Sequence, residues 1–150
     1  MKQIPPFKII GISVESTNEN GQAAQDLGEL WGRFYSENIP GEIPNVIGDE
    51  VYSMYTDYET DYTRKYTAII GLKVSSLEDI PDGMVGREFG GGTYTKFVAK
   101  GTMPNAIVDT WKEIWSKDNL LGRKYTADFE VYGAQSQNGE NSEVDIYIAT

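Results

Sequence analysis

Neither cysteine nor histidine occurs anywhere in these 150 residues. Their absence excludes disulfides, thiolate zinc sites, cysteine nucleophiles, Ser-His-Asp triads and histidine general bases together. Any chemistry the chain performs therefore rests on carboxylates, tyrosines or lysines. Positive charge is also scarce, with 13 Lys and Arg against 23 Asp and Glu, a formal net charge of −10. A surface of that sign repels a phosphate backbone and gathers cations, so no direct nucleic-acid contact is expected. Long apolar runs are missing too: none approaches the roughly 20 residues that span a bilayer. Met1-Lys2-Gln3-Ile4-Pro5-Pro6 lacks the apolar stretch of a signal peptide, so the expectations are no membrane partner and a cytoplasmic location.

Motifs for metals and phosphates are incomplete. Asp57, Glu59 and Asp61 have the alternate spacing of a calcium loop but lack its glycine and its closing bidentate glutamate, and a solvated hairpin turn explains them. Gly90-Gly91-Gly92 leads into a strand rather than a helix and is followed by no Gly-Lys-Ser/Thr, so a bulge or tight bend is the better reading. No metal and no cofactor is expected.

What is abundant is aromatic, with 10 tyrosines and 3 tryptophans, and it is arranged in a repeat. Glu-Val-Tyr occurs at Glu50-Val51-Tyr52 and at Glu130-Val131-Tyr132, 80 residues apart, and Trp31 and Trp111 are separated by the same 80. A repeat of that length is a supersecondary unit present twice, not a solenoid. Alternating β-branched residues predict a strand over Phe7–Ser16; Leu27, Leu30, Trp31, Phe34 and Tyr35 form the stripe of an amphipathic helix; strands follow over 50–58 and 66–75. After a connector with the turn signature Pro81-Asp82-Gly83 come a strand over 93–100, a helix striped by Ile107, Trp111, Ile114 and Trp115, and strands over 125–134 and 143–149. Asn138-Gly139 between the last two is a hairpin signal.

The expected fold is therefore one α+β domain over 1–150, built from two β-α-β-β halves of about 7–76 and 90–150, with a curved antiparallel sheet and both helices on one face. A ligand cleft is expected between the halves, on the sheet face left free by the helices.

Alternation puts Asp128, Glu130 and Tyr132 on one side of their strand and Phe129 and Val131 on the other. With Phe129 and Val131 taken as the helix-packed side, Glu130 falls on the free face, beside Tyr94 and Tyr147 of neighbouring strands. A carboxylate ringed by tyrosines suits a cationic or amphiphilic ligand, since ring faces add cation–π attraction to the charge. The alternative is a solvated Glu130 paired with a lysine. Glu50 opens its strand beside Gly48 and Asp49, where exposure is expected. Core packing is the first reading of Trp31, Trp111 and Trp115, although a tryptophan at a helix edge also walls a cleft.

The segments Lys8–Ile12, Leu30–Phe34, Ile47–Tyr58, Tyr66–Val74, Gly92–Gly101, Trp111–Trp115 and Asp128–Tyr132, in this order and spacing, resemble the GyrI-like, AraC-type effector-binding family over nearly the whole chain. The resemblance implies a central cleft for small, often cationic and lipophilic molecules, with Glu130 as the key contact. Family members that regulate transcription directly carry a preceding helix-turn-helix domain; here the first strand begins by Phe7, which reads as a stand-alone module.

The leading hypothesis is a small-molecule receptor for a hydrophobic or cationic ligand, using Glu130 with Tyr55, Tyr94, Tyr132, Tyr147, Trp111 and Trp115. The second is a hydrolase of toxic electrophiles in which Glu130 and Tyr94 handle a proton and orient water. The third is an acidic protein-interaction module. Its protein partner, a transcription regulator or gyrase, is not specified by the sequence.

Overall fold

β-Branched and aromatic residues dominate the segments that extend, and the polar, glycine- and proline-rich stretches between them turn the chain. The computed structural model describes residues 2–150. In chain order the elements are β1 (Lys2–Ile4), β2 (Phe7–Thr17), α1 (Gln22–Ser36), α2 (Ile39–Glu42), β3 (Val46–Thr56), β4 (Lys65–Val74), β5 (Val85–Phe89) and β6 (Gly92–Lys100). They continue with α3 (Asn105–Ser116), α4 (Asp118–Leu121), β7 (Ala127–Tyr132) and β8 (Glu143–Ala149). Among the described residues, eight strands form one curled antiparallel sheet in the order β1-β6-β8-β7-β3-β4-β2-β5. The order strand, helix, strand, strand occurs twice, as β2-α1-β3-β4 and β6-α3-β7-β8, and the two sets meet where β3 pairs β7.

Four elements were not anticipated. β1 and β5 are short edge strands that take their register from β6 and β2, pairing Lys2 with Tyr94 and Phe7 with Phe89. α2 and α4 are single turns appended to the main helices, and Pro40 sits in the first turn of α2, where a missing N–H costs nothing. The β7–β8 connection is no tight Asn-Gly hairpin. It makes two 3₁₀ turns, Ala134–Gln137 and Gly139–Asn141, pinned by Ser142, whose Oγ accepts from the Asn138 N–H at 2.8 Å and donates to the Gly139 carbonyl at 2.9 Å.

Both faces of the sheet are covered, which overturns the expectation of a free face. On one side, Leu30 and Phe34 of α1 pack on Ile10, Ile12 and Ile70, and Ile114 of α3 packs on Val144, Ile146 and Ile148. On the other, the curl closes the sheet on its own aromatic cluster, which includes Phe7, Phe89, Tyr94, Phe129 and Tyr147. The Phe129 ring lies 5.0 Å from Tyr147, 5.2 Å from Phe7 and 5.3 Å from Tyr94.

Two glycines let β2 and β4 approach closely. Gly11 pairs directly with Gly71; a Cβ on Gly11 would lie 2.0 Å from the Ile70 carbonyl oxygen, and one on Gly71 would lie 2.3 Å from that of Ile10. Only glycine fits at either position.

Candidate functional site

The strands β3 and β7 place the site. Their register sets Ser53 opposite Glu130, Tyr55 opposite Asp128 and Val51 opposite Tyr132, so these six side chains share one face. That face lies beneath the helices, because Val51 packs with the α1 cluster whereas Met54, Phe129 and Val131 belong to the aromatic cluster opposite. The helix-packed side of β7 is therefore Asp128, Glu130 and Tyr132, the reverse of the sequence reading. The two Glu-Val-Tyr copies consequently differ in orientation: Val51 faces the helices and Val131 faces away from them. Their 80-residue spacing is an even number of strand positions, yet the pairing of β3 with β7 puts the copies out of phase by one.

Glu130 is 2 % exposed and has no lysine or arginine partner among the described residues, which excludes the solvated, lysine-paired alternative. Its donors are neutral. Tyr132 donates its hydroxyl to Oε1 at 2.5 Å; Trp111 Nε1 and the Tyr55 hydroxyl donate to Oε2 at 2.6 and 3.0 Å. Small Ser53 leaves room opposite the carboxylate and donates to the Tyr55 oxygen at 3.3 Å. Burial pushes the Glu130 carboxyl above its ordinary range, and the three hydrogen bonds work against that rise. Burial, reinforced by the Glu130 charge, raises the Tyr55 and Tyr132 phenols well above theirs and Tyr66 to about 12, so these hydroxyls remain donors.

Above the carboxylate opens a cavity of about 340 Å³ with almost entirely apolar walls. Ala23, Ala24 and Leu27 of α1 form one wall, and Ile107, Trp111 and Trp115 of α3 form the other. Tyr55, Tyr66 and Glu130 form the floor, while Tyr58 and Tyr62 of the β3–β4 connection and Asn18 close one end. Trp115 stacks on Tyr62 at 5.3 Å and 7°. Asn18, between β2 and α1, ties that segment to the β3–β4 connection, donating to the Tyr62 carbonyl at 2.8 Å and accepting from the Tyr66 hydroxyl at 3.3 Å.

A second buried carboxylate, Asp128, lies next along the same face. It is fully partnered: Arg123 Nη2 at 2.8 Å and the Tyr58 hydroxyl at 2.6 Å donate to Oδ2, and the Ala149 N–H donates to Oδ1 at 2.8 Å.

Of the residues singled out from sequence, Tyr55, Trp111, Trp115 and Glu130 line this cavity, and Tyr132 holds the carboxylate from beside it. Tyr94 and Tyr147 do not reach it. They lie on the opposite face in contact with Phe129, where Tyr147 borders a smaller hollow of about 190 Å³ with Glu50 and Tyr52. Glu130 and Tyr94, the proposed hydrolytic pair, are thus separated by the sheet. Glu50 is exposed, as expected. Sequence reasoning did not single out Tyr58, Tyr62, Tyr66, Leu27, Ile107 or Arg123. Leu27 and Ile107 were legible as stripe positions one turn N-terminal to Trp31 and Trp111, and Tyr66 as a strand position sharing a face with Ala68 and Ile70, but a turn tyrosine such as Tyr62 carries no such periodic signal.

The fold and this cavity define a small-molecule-binding module of the effector-binding class. Within that class the chain belongs to the Cass2 family of integron-associated effector binding proteins, whose family model matches residues 1–150. A solved integron cassette protein from the mobile metagenome of Vibrio cholerae is 30 % identical, with a TM-score of 0.75 over 99 % of this chain and 92 % of that one. Transcriptional regulator BrlR of Pseudomonas aeruginosa is 28 % identical over 152 residues, 96 % of this chain and 52 % of BrlR, so the chain spans about half the length of that relative. The structure of SAV2435 bound to tetraphenylphosphonium shares the fold, with a TM-score of 0.81 and 20 % identity over 98 % of this chain and 90 % of that one. No helix among the described residues is long and apolar enough to cross a membrane.

Proposed function

We propose that the cavity binds an organic cation with an apolar, ring-bearing body, its charge set against Glu130 and its rings against Tyr55, Trp111 and Trp115. The observation that carries this reading is a buried carboxylate held only by neutral donors at the floor of an apolar cavity. A buried charge is costly unless paired, and here the protein supplies no partner. A lipophilic cation supplies it and also covers the aromatic walls. That SAV2435 is solved with tetraphenylphosphonium, a cation of this kind, supports the assignment.

Proton transfer fits less well. The phenols near Glu130 are all pushed upward and hold their protons, and Tyr94 is out of reach. The test is a titration with tetraphenylphosphonium followed by tryptophan fluorescence, since Trp111 touches Glu130 directly. Glu130→Gln is expected to weaken binding by about 10- to 100-fold, the cost of losing one desolvated charge pair. Equal affinity in both proteins overturns the reading. Incubation with excess ester or epoxide probes, monitored for product beyond one equivalent, tests the hydrolytic alternative.

A further inference from the structure

We infer that the cavity is matched to a single positive charge, and that Arg123 is the residue that sets this match. The inference rests on the binding role proposed for Glu130. Asp128 and Glu130 are both buried and share one face of β7 at alternate positions, about 6.6 Å apart along the strand. Left to themselves, two such carboxylates would form a site for a dication. Arg123 prevents this. Its side chain is 1 % exposed, lines the cavity, and contacts Asp128 at 2.8 Å and the partly solvated Asp118 at 3.3 Å.

At the Arg123 end the cavity offers no free carboxylate for a second ammonium. The Asp128 carboxylate is occupied by Arg123, by the Tyr58 hydroxyl and by the Ala149 N–H. Among the guanidinium nitrogens Nε is buried without a partner, and Arg123 lines the cavity, so a cationic donor group and not a free carboxylate meets the ligand at this end. A ligand carrying a second cationic group therefore faces the guanidinium there and finds no carboxylate free to pair with it, a discrimination built on an unfavourable contact with the wrong ligand. Neutral or electron-rich groups are accepted at the same place.

The experiment compares benzyltrimethylammonium with p-xylylenebis(trimethylammonium), which differ by one charged arm, by calorimetric titration of the wild type, Arg123→Gln and Glu130→Gln. The wild type is expected to prefer the monocation by about tenfold or more, and Arg123→Gln, which leaves Asp128 without its cationic partner, to lose or invert that preference. A wild type that binds the dication as tightly, or an Arg123→Gln protein with an unchanged ratio, overturns the inference. If Arg123→Gln does not fold, the pair Arg123→Gln/Asp128→Asn replaces it. That pair removes both charges and is expected to abolish the preference, and an unchanged ratio again overturns it. Monocation binding that depends on Glu130, with no charge preference, sinks only this inference. Monocation binding that is absent or independent of Glu130 sinks the proposed function, and this inference with it.

Discussion

At the scale of single residues the molecule turns on how one carboxylate is kept. Burial raises the Glu130 carboxyl above its ordinary 4.5, so the folded ligand-free protein holds that proton more tightly than the unfolded chain does. The stability this contributes is complete below about pH 4.5 and drains away as pH rises through the raised folded value. Urea melts across this range are expected to show the wild type losing stability relative to Glu130→Gln as pH increases; parallel curves would contradict it. A permanent cation binds the ionised form, so its affinity runs the other way and strengthens over the same rise. Trp111→Phe removes a donor that lowers the Glu130 value. The midpoint of that affinity profile should then move to higher pH, a shift that loss of aromatic contact alone would not produce.

At the scale of elements, strand register matters more than helix propensity. The two helices are held by few deeply buried side chains, Leu30 and Phe34 in α1 and Ile114 in α3. Ile114→Ala is expected to cost about 2–5 kcal/mol through lost contact and the cavity left behind, read as a lower denaturant midpoint. Gly71→Ala should be as damaging despite adding only a methyl group, because its Cβ would meet the Ile10 backbone and push β2 from β4. A loss below about 0.5 kcal/mol, the range of ordinary surface changes, would show that the strands separate easily. Much of this level was legible in advance: the paired strand-helix-strand-strand order and the apolar stripes follow from periodicity. The edge strands β1 and β5 were not, because Lys2-Gln3-Ile4 and Val85-Gly86-Arg87-Glu88-Phe89 have little pattern of their own and extend by pairing with neighbours.

At the scale of the whole molecule, the cavity spans the junction of the two halves, with α1 on one wall and α3 on the other. A ligand there contacts both and stabilises them together. At a free concentration about 100 times Kd it should add about 2.7 kcal/mol, or about 5–10 °C in Tm for a chain of this size. Melting in the presence of a tight-binding cation without such a rise would show that binding does not depend on the folded cleft. The net charge of −10 draws cations in from a distance, so the association rate should fall as salt increases while dissociation changes little.

Alternation along β7 identified Glu130, Tyr132 and Asp128 as one set and Phe129 and Val131 as another, because side-chain period in a strand is a local property. Composition excluded thiol and imidazole chemistry for the same reason: it needs no third dimension. What only the tertiary structure decided was which set lies under the helices. Both sets are flanked by apolar neighbours, and the sheet buries both faces, one beneath α1 and α3 and the other within its own curl. The site therefore moved to the opposite side of the sheet from the one expected. It lost Tyr94 and Tyr147, kept Tyr55, Trp111 and Trp115, and gained Tyr58, Tyr62, Tyr66 and Arg123, residues brought together by loop paths and strand pairing that no periodicity records.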